Sequence, residues 1–128
     1  MFENCKDIRR AQPLKINAWN FDDYVLTSDL PAMVGFGADW DIDSIWMHNA
    51  LQWFAHRFDG KMIVAYANID YVPTLFYRYE IYDMPTVIIF EDGKEFSRLV
   101  GYKYHGQLDE MVDKFFGYLP YDRENKIV

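Results

Sequence analysis

The sequence predicts an α/β domain: a central mixed sheet, mostly parallel with a terminal antiparallel hairpin, flanked by helices in the order β-α-β-α-β-α-β-β-α. Three observations carry this. Apolar runs of strand length recur at 32–38, 62–67 and 86–90, with too little polar alternation for a sheet that faces water. Segments of helical period separate them, at 41–58 and 73–79. Asp92-Gly93 lies between two strand-like runs and is a favoured pair for a two-residue hairpin turn. The 128 residues suit one domain, because two cores would leave each half near marginal size. The expected division is a flexible N-terminal extension over 1–13, a domain over 14–119 and a tail over 120–128.

Along the chain, Leu14 to Ala18 reads as a short strand. Phe21, Tyr24, Val25 and Leu26 are spaced for a short amphipathic helix with Asn20 as its N-cap. Ser28-Asp29-Leu30-Pro31 ends it, since proline disfavours helix in the residue before it. Ala32 to Ala38 suits a strand buried on both faces. Asp41 opens the longest helix, to about Phe58, with Met47, Leu51, Phe54 and Phe58 as a buried stripe. Trp46, Ala50 and Trp53 form a second stripe, which can be core or interface. Gly60 closes this helix, Met62 to Ala67 is the next strand, and Pro73 starts a short aromatic helix to Tyr79. Strands Thr86 to Phe90 and Lys94 to Val100 flank the turn. Leu108, Met111, Val112, Phe115 and Phe116 then mark a last helix from Gln107 to about Leu119.

Composition excludes several functions. Twenty acidic residues against thirteen basic give a net charge of −7, unsuited to direct nucleic-acid binding or to anionic membranes. The apolar uncharged run Leu30 to Ala38 is far too short to span a bilayer, and residues 1–13 are too polar for a signal peptide. One cysteine, Cys5, forbids an intramolecular disulfide and a multi-cysteine zinc site, so the expected location is cytoplasmic. Aromatic residues reach 19%, more than a core this small needs.

Several strings stand in a telling order: Phe36-Gly37-Ala38-Asp39-Trp40, Asn68-Ile69-Asp70 with Pro73 three residues on, Met84-Pro85-Thr86, Asp92-Gly93 and Val100-Gly101. Their order and spacing resemble the thioredoxin family from about residue 14 to residue 118. The resemblance implies a thioredoxin fold with a cis bond at Met84-Pro85. It also marks where the chemistry departs. Thioredoxins read Trp-Cys-Gly-Pro-Cys where this chain has Trp40-Asp41-Ile42-Asp43-Ser44. Exchange needs a thiolate nucleophile and a resolving thiol, and neither Asp41 nor Ser44 supplies one. The buried Asp that thioredoxins usually carry below the dithiol corresponds to Gly35, and an accompanying Lys corresponds to Tyr66. The resemblance therefore implies a redox-inactive member with no catalytic residue and no cofactor, not an enzyme.

The aspartates have a plainer use, as an N-cap and as charges favourable to the first helical turn. Asp39, Asp41 and Asp43 alternate like a calcium loop, but that motif wants Gly and Glu where Ser44 and Ala50 stand, so no metal is expected. His48, His56 and His105 lack companions at ligand spacing and read as surface or capping residues. Cys5 reads as incidental, with glutathionylation or an intermolecular disulfide as alternatives.

What the resemblance leaves is a peptide-binding groove at Trp40, Asp41, Ile42, Met84, Pro85, Val100, Gly101 and Tyr102. Trp40 and Met84 can instead merely pack locally. Phe76, Tyr77, Tyr79 and Tyr104 are further aromatics, divided between core and surface. The expected function is binding another protein or extended peptide as an adaptor, assembly factor or chaperone-like subunit, in a monomer or weak homodimer. A second resemblance is to the spliceosomal U5 thioredoxin-like proteins, through Phe36 to Asp41, Asn17-Ala18-Trp19, Val72-Pro73 and Tyr79 to Asp83. It implies a nuclear role in pre-mRNA splicing. A third reading is an atypical thiol oxidoreductase working through Cys5.

Overall fold

The structure, a computed structural model, describes residues 12–118. A five-stranded mixed sheet runs in the order β1-β3-β2-β4-β5. The strands are β1 (Leu14–Lys15), β2 (Ala32–Gly37), β3 (Ile63–Asn68), β4 (Thr86–Glu91) and β5 (Lys94–Val100). The helices are α1 (Ile42–Arg57), α2 (Pro73–Arg78) and α3 (His105–Tyr118), with a π-helix at Asp22–Leu26 between β1 and β2. β3 pairs in parallel with β1 and β2, whereas β4 runs antiparallel to β2 and to β5. The mixed sheet is thus evenly divided, and the reversal begins at β4 rather than at the hairpin.

Strand periodicity sorts the core into two layers. Met33, Val64, Val87 and Ile89 face α1 and α3, where Met47, Leu51, Phe54, Leu108 and Phe115 meet them. Val34, Phe36, Ala65, Ile88 and Phe90 face the other side, against Phe21, Val25, Leu75 and Phe76. Both faces are covered, which is why these strands read as continuous apolar runs. The hairpin turns at Asp92 and Gly93, both at positive φ (55° and 76°), the conformation that the Asp-Gly pair tolerates.

Four local expectations are corrected. The segment after β1 is a π-helix closed by the Thr27 N–H donating to the Asp22 carbonyl (3.0 Å), not a turn of amphipathic α-helix. Asn20 does not cap it. Its side chain accepts from the Asn17 N–H (2.9 Å) and donates to the Lys15 carbonyl (2.9 Å), so it braces the preceding turn instead. β1 is shorter than expected, because Asn17 turns its side chain to the N–H groups of Trp19 and Asn20 and ends the extended run. The last helix starts earlier, at His105, with Gln107 Oε1 accepting from the Lys103 N–H (2.7 Å).

Candidate functional site at the N-terminus of α1

α1 begins where β2 leaves the sheet. Asp41 is its N-cap, with extended backbone (φ −102°, ψ 123°) and a carboxylate facing the first helical turn. Its Oδ2 accepts from the Ser44 N–H (2.9 Å) and from the Ser44 hydroxyl (2.7 Å). Ser44 is fully buried. The two side chains are therefore spent on each other, and the hydroxyl has no path to a substrate.

Beneath this cap lies Gly35, in register with Tyr66 on β3. A Cβ at Gly35 would sit 2.5 Å from Met47 Sδ and 2.6 Å from Leu51 Cδ1. The two α1 side chains occupy the space any larger residue needs. Tyr66 is buried, its hydroxyl donates to Asp39 (3.4 Å), and its ring stacks on His48 (4.3 Å). Burial, then the Asp39 charge, push the Tyr66 pKa well above the usual phenol range. Burial likewise lowers His48, with Asp39 opposing and Lys15 assisting. Lys15, Asp39, His48, Tyr66, Asn68 and Tyr71 line a cleft of about 180 Å³. His48 is thus half-buried at the wall of this cleft and does not cap a helix. Sequence reasoning missed this stack, although Val64 and Tyr66 alternate toward α1 and His48 follows the buried Met47.

Around the cap, the rim is open. Trp40 is 66% exposed and its indole N–H donates to Asp70 Oδ2 (3.2 Å) on the β3–α2 loop. Ile42 is 69% exposed and Val100 is also exposed. Met84-Pro85 is a cis peptide; Pro85 is buried, and its carbonyl accepts from the Gly101 N–H (2.8 Å). Met84 is half-buried against the second core layer. The structure thus joins Pro85 to Gly101 and ties Trp40 to Asp70. Tyr102 packs partly buried against the core between α1 and α3.

There it lines a groove of about 530 Å³ with Asp43, Trp46, Trp53, Tyr104 and His105. Trp46 and Trp53 are 61% and 44% exposed while Ala50 between them is buried, so the two tryptophans of the second stripe are surface and its alanine is core. His105 opens α3 and stacks on Phe54 (5.3 Å), edge-on to Trp53 (5.2 Å). Of the other aromatics, Phe76 is core, Tyr79 is half-buried, and Tyr77 and Tyr104 are exposed. Among the described residues no group of three or more His, Cys, Asp or Glu could hold a metal, and no helix is long and apolar enough to cross a membrane. Cys5 lies outside the described residues.

A thioredoxin family model matches residues 12–114. A thioredoxin from Chlorobaculum thiosulfatiphilum is 29% identical over 98 residues, covering 77% of this chain and 91% of that protein. Thioredoxin 2 of Chlorobaculum tepidum is 30% identical over 98 residues, covering 77% of this chain and 90% of its own length. A chloroplastic M-type thioredoxin from Spinacia oleracea is 26% identical over 108 residues, 84% of this chain and 59% of that protein.

Proposed function

This chain belongs to the thioredoxin family, and from that premise we propose that it binds a polypeptide partner without carrying out dithiol–disulfide exchange. The relatives' names point to redox chemistry, so the difference must lie in particular residues. The observation that carries the reading is the closed Asp41–Ser44 pair at the head of α1. Exchange needs a thiolate to attack a disulfide sulfur and a second thiol to release the mixed disulfide. A carboxylate committed to capping and a buried hydroxyl do neither. Gly35 supports the same reading, since the space a proton-accepting side chain would need is filled by Met47 and Leu51.

The exposed rim supports binding. Trp40, Ile42 and Val100 surround the cap, and exposed aromatic and aliphatic surface of this kind is what interfaces use. The backbone at Met84 offers an extended partner main-chain pairing, with affinity and little sequence preference. An adaptor, assembly or chaperone-like role in the cytoplasm follows from this reading. The spliceosomal resemblance and a thiol chemistry at Cys5 rest on sequence strings alone and have no support from the site.

The test is to isolate the partner by affinity purification from the native cell and titrate it against Trp40→Ala. Truncating an interface Trp typically costs at least about 2 kcal/mol, some thirtyfold in affinity. The melting temperature should stay nearly unchanged, because Trp40 is mostly outside the core. Normal binding by Trp40→Ala would place the interface elsewhere.

A further inference from the structure

The cleft between β1 and α1 is a product of the fold. β1 is the outermost strand, beside β3, and it adds no residue to the core layer under α1. A gap is left there, with His48 of α1 on one side, Lys15 of β1 on the other, and Tyr66 and Asn68 of β3 at its base. Lys15 stands in register with Tyr66, and Asn68 lies two residues further along the same face. At about 180 Å³ the cleft is smaller than the roughly 300–1,000 Å³ of pockets for drug-sized ligands, and it suits a molecule of amino-acid size.

Its polar groups are not spent on one another. Asn68 is only 6% exposed and its Oδ1 accepts from the Asp70 N–H (2.9 Å), yet its carboxamide nitrogen meets no acceptor among the described residues. No enclosed side-chain nitrogen or oxygen among them lacks a partner, so this nitrogen opens on the cleft. Lys15 and Asp39 form no ion pair among the described residues, and the Asp39 carboxylate accepts only the long bond from the Tyr66 hydroxyl. Both charges reach His48: burial lowers its pKa most, Asp39 opposes and Lys15 assists. A lone anion in the cleft would meet the Asp39 carboxylate, and a lone cation the Lys15 ammonium, each repelled at close range. A ligand that carries both charges satisfies both.

We propose that this cleft binds a small zwitterion, a free α-amino acid, with its carboxylate held by Lys15 and the Asn68 carboxamide N–H groups and its ammonium held by Asp39. Charge-assisted hydrogen bonds of this kind are the strong ones, and they fix a small ligand at both ends. The stacked His48 and Tyr66 rings form the wall beside it. The volume favours a short side chain on the amino acid. The proposal stands apart from the partner-binding reading, because Lys15, Asp39 and Asn68 are not rim residues.

The experiment is titration of the full chain, followed by nuclear magnetic resonance, with each proteinogenic amino acid in turn up to about 10 mM. At least one with a short side chain should shift the Asn68 side-chain amide signal and saturate within that range. Its N-acetyl derivative lacks the ammonium and its amide lacks the carboxylate, and each should bind at least about tenfold more weakly. Lys15→Gln and Asp39→Asn should each weaken the amino acid by a similar factor, and Asp39→Asn keeps an oxygen for the Tyr66 hydroxyl. Lys94→Gln, at the opposite edge of the sheet, should leave binding unchanged. If no amino acid shifts the Asn68 signal, the proposal is overturned. Equal binding of the N-acetyl derivative would make the cleft a plain anion site, and equal binding of the amide a plain amine site; either overturns it. An equal loss with Lys94→Gln would reduce the effect to bulk charge and overturn it too.

Discussion

At the floor beneath the head of α1, Gly35 has Met47 and Leu51 pressed over it and Ser44 has no exposed surface. At the rim a few residues away, Trp40 and Ile42 are each two-thirds exposed and touch little of the core. The floor is where a thioredoxin keeps its proton-transfer residue, and here packing has closed it. The rim is where a partner would lie, and here it is open and aromatic. The difference teaches that packing constrains the floor and leaves the rim free of the core, so substitutions in the two should separate cleanly.

The largest effect is expected at the floor. Gly35→Asp forces a Cβ within 2.6 Å of two side chains and buries a carboxylate with no partner. Overpacking and an unpaired polar group together should cost about 3 kcal/mol or more, on the order of 15 °C in melting temperature. Thermal unfolding followed by circular dichroism checks this. An unchanged midpoint would mean the floor is not packed as described.

Next comes the cap. Asp41→Ala removes the acceptor of the Ser44 N–H and strands the buried Ser44 hydroxyl. The loss should be about 1–3 kcal/mol in denaturant unfolding, combining a missing cap with an unsatisfied buried group. Asp41→Asn keeps an acceptor oxygen and should recover most of it. If alanine and asparagine behave alike, the carboxamide or carboxylate oxygen is not what holds the turn.

The smallest effect is a pH dependence at the flank of the floor. His48 has its pKa lowered by burial, so the folded state prefers the neutral ring. Protonation therefore favours the unfolded chain. Stability contributed by neutral His48 is full above the ordinary value near 6.5 and is lost as pH falls from there through the lowered folded value. Denaturant unfolding at neutral and mildly acidic pH should show a steeper loss for the natural chain than for His48→Gln. Equal losses would show that His48 is not desolvated by its stack on Tyr66.

Much of the fold was legible because strong local rules agreed. Buried strands betrayed themselves as apolar runs, and Asp92-Gly93 marked the hairpin as one of the few pairs that tolerate positive φ cheaply. Asp41 as a cap was legible for the same reason, being a favoured residue just before an apolar period. The direction of β4 was not legible, since apolar runs carry no sign of parallel or antiparallel pairing. Nor was the exposure of Trp46 and Trp53, because helical spacing places them on one side without saying what lies opposite. Ala50 is buried between them against the core. Tyr102 stood beside Trp40 only through the thioredoxin resemblance, and its partial burial against the first core layer is a contact that local pattern does not reveal. The His48–Tyr66 stack joins a helix to a strand, and local pattern does not reveal such pairs.

The closed floor bears most directly on catalysis, and reduction of insulin disulfides by dithiothreitol measures that catalysis without any partner. With this protein added, turbidity should develop at the rate of dithiothreitol alone, because the head of α1 holds Asp41 and Ser44 bound to each other and no thiol. Acceleration to the level of an ordinary thioredoxin would contradict the account.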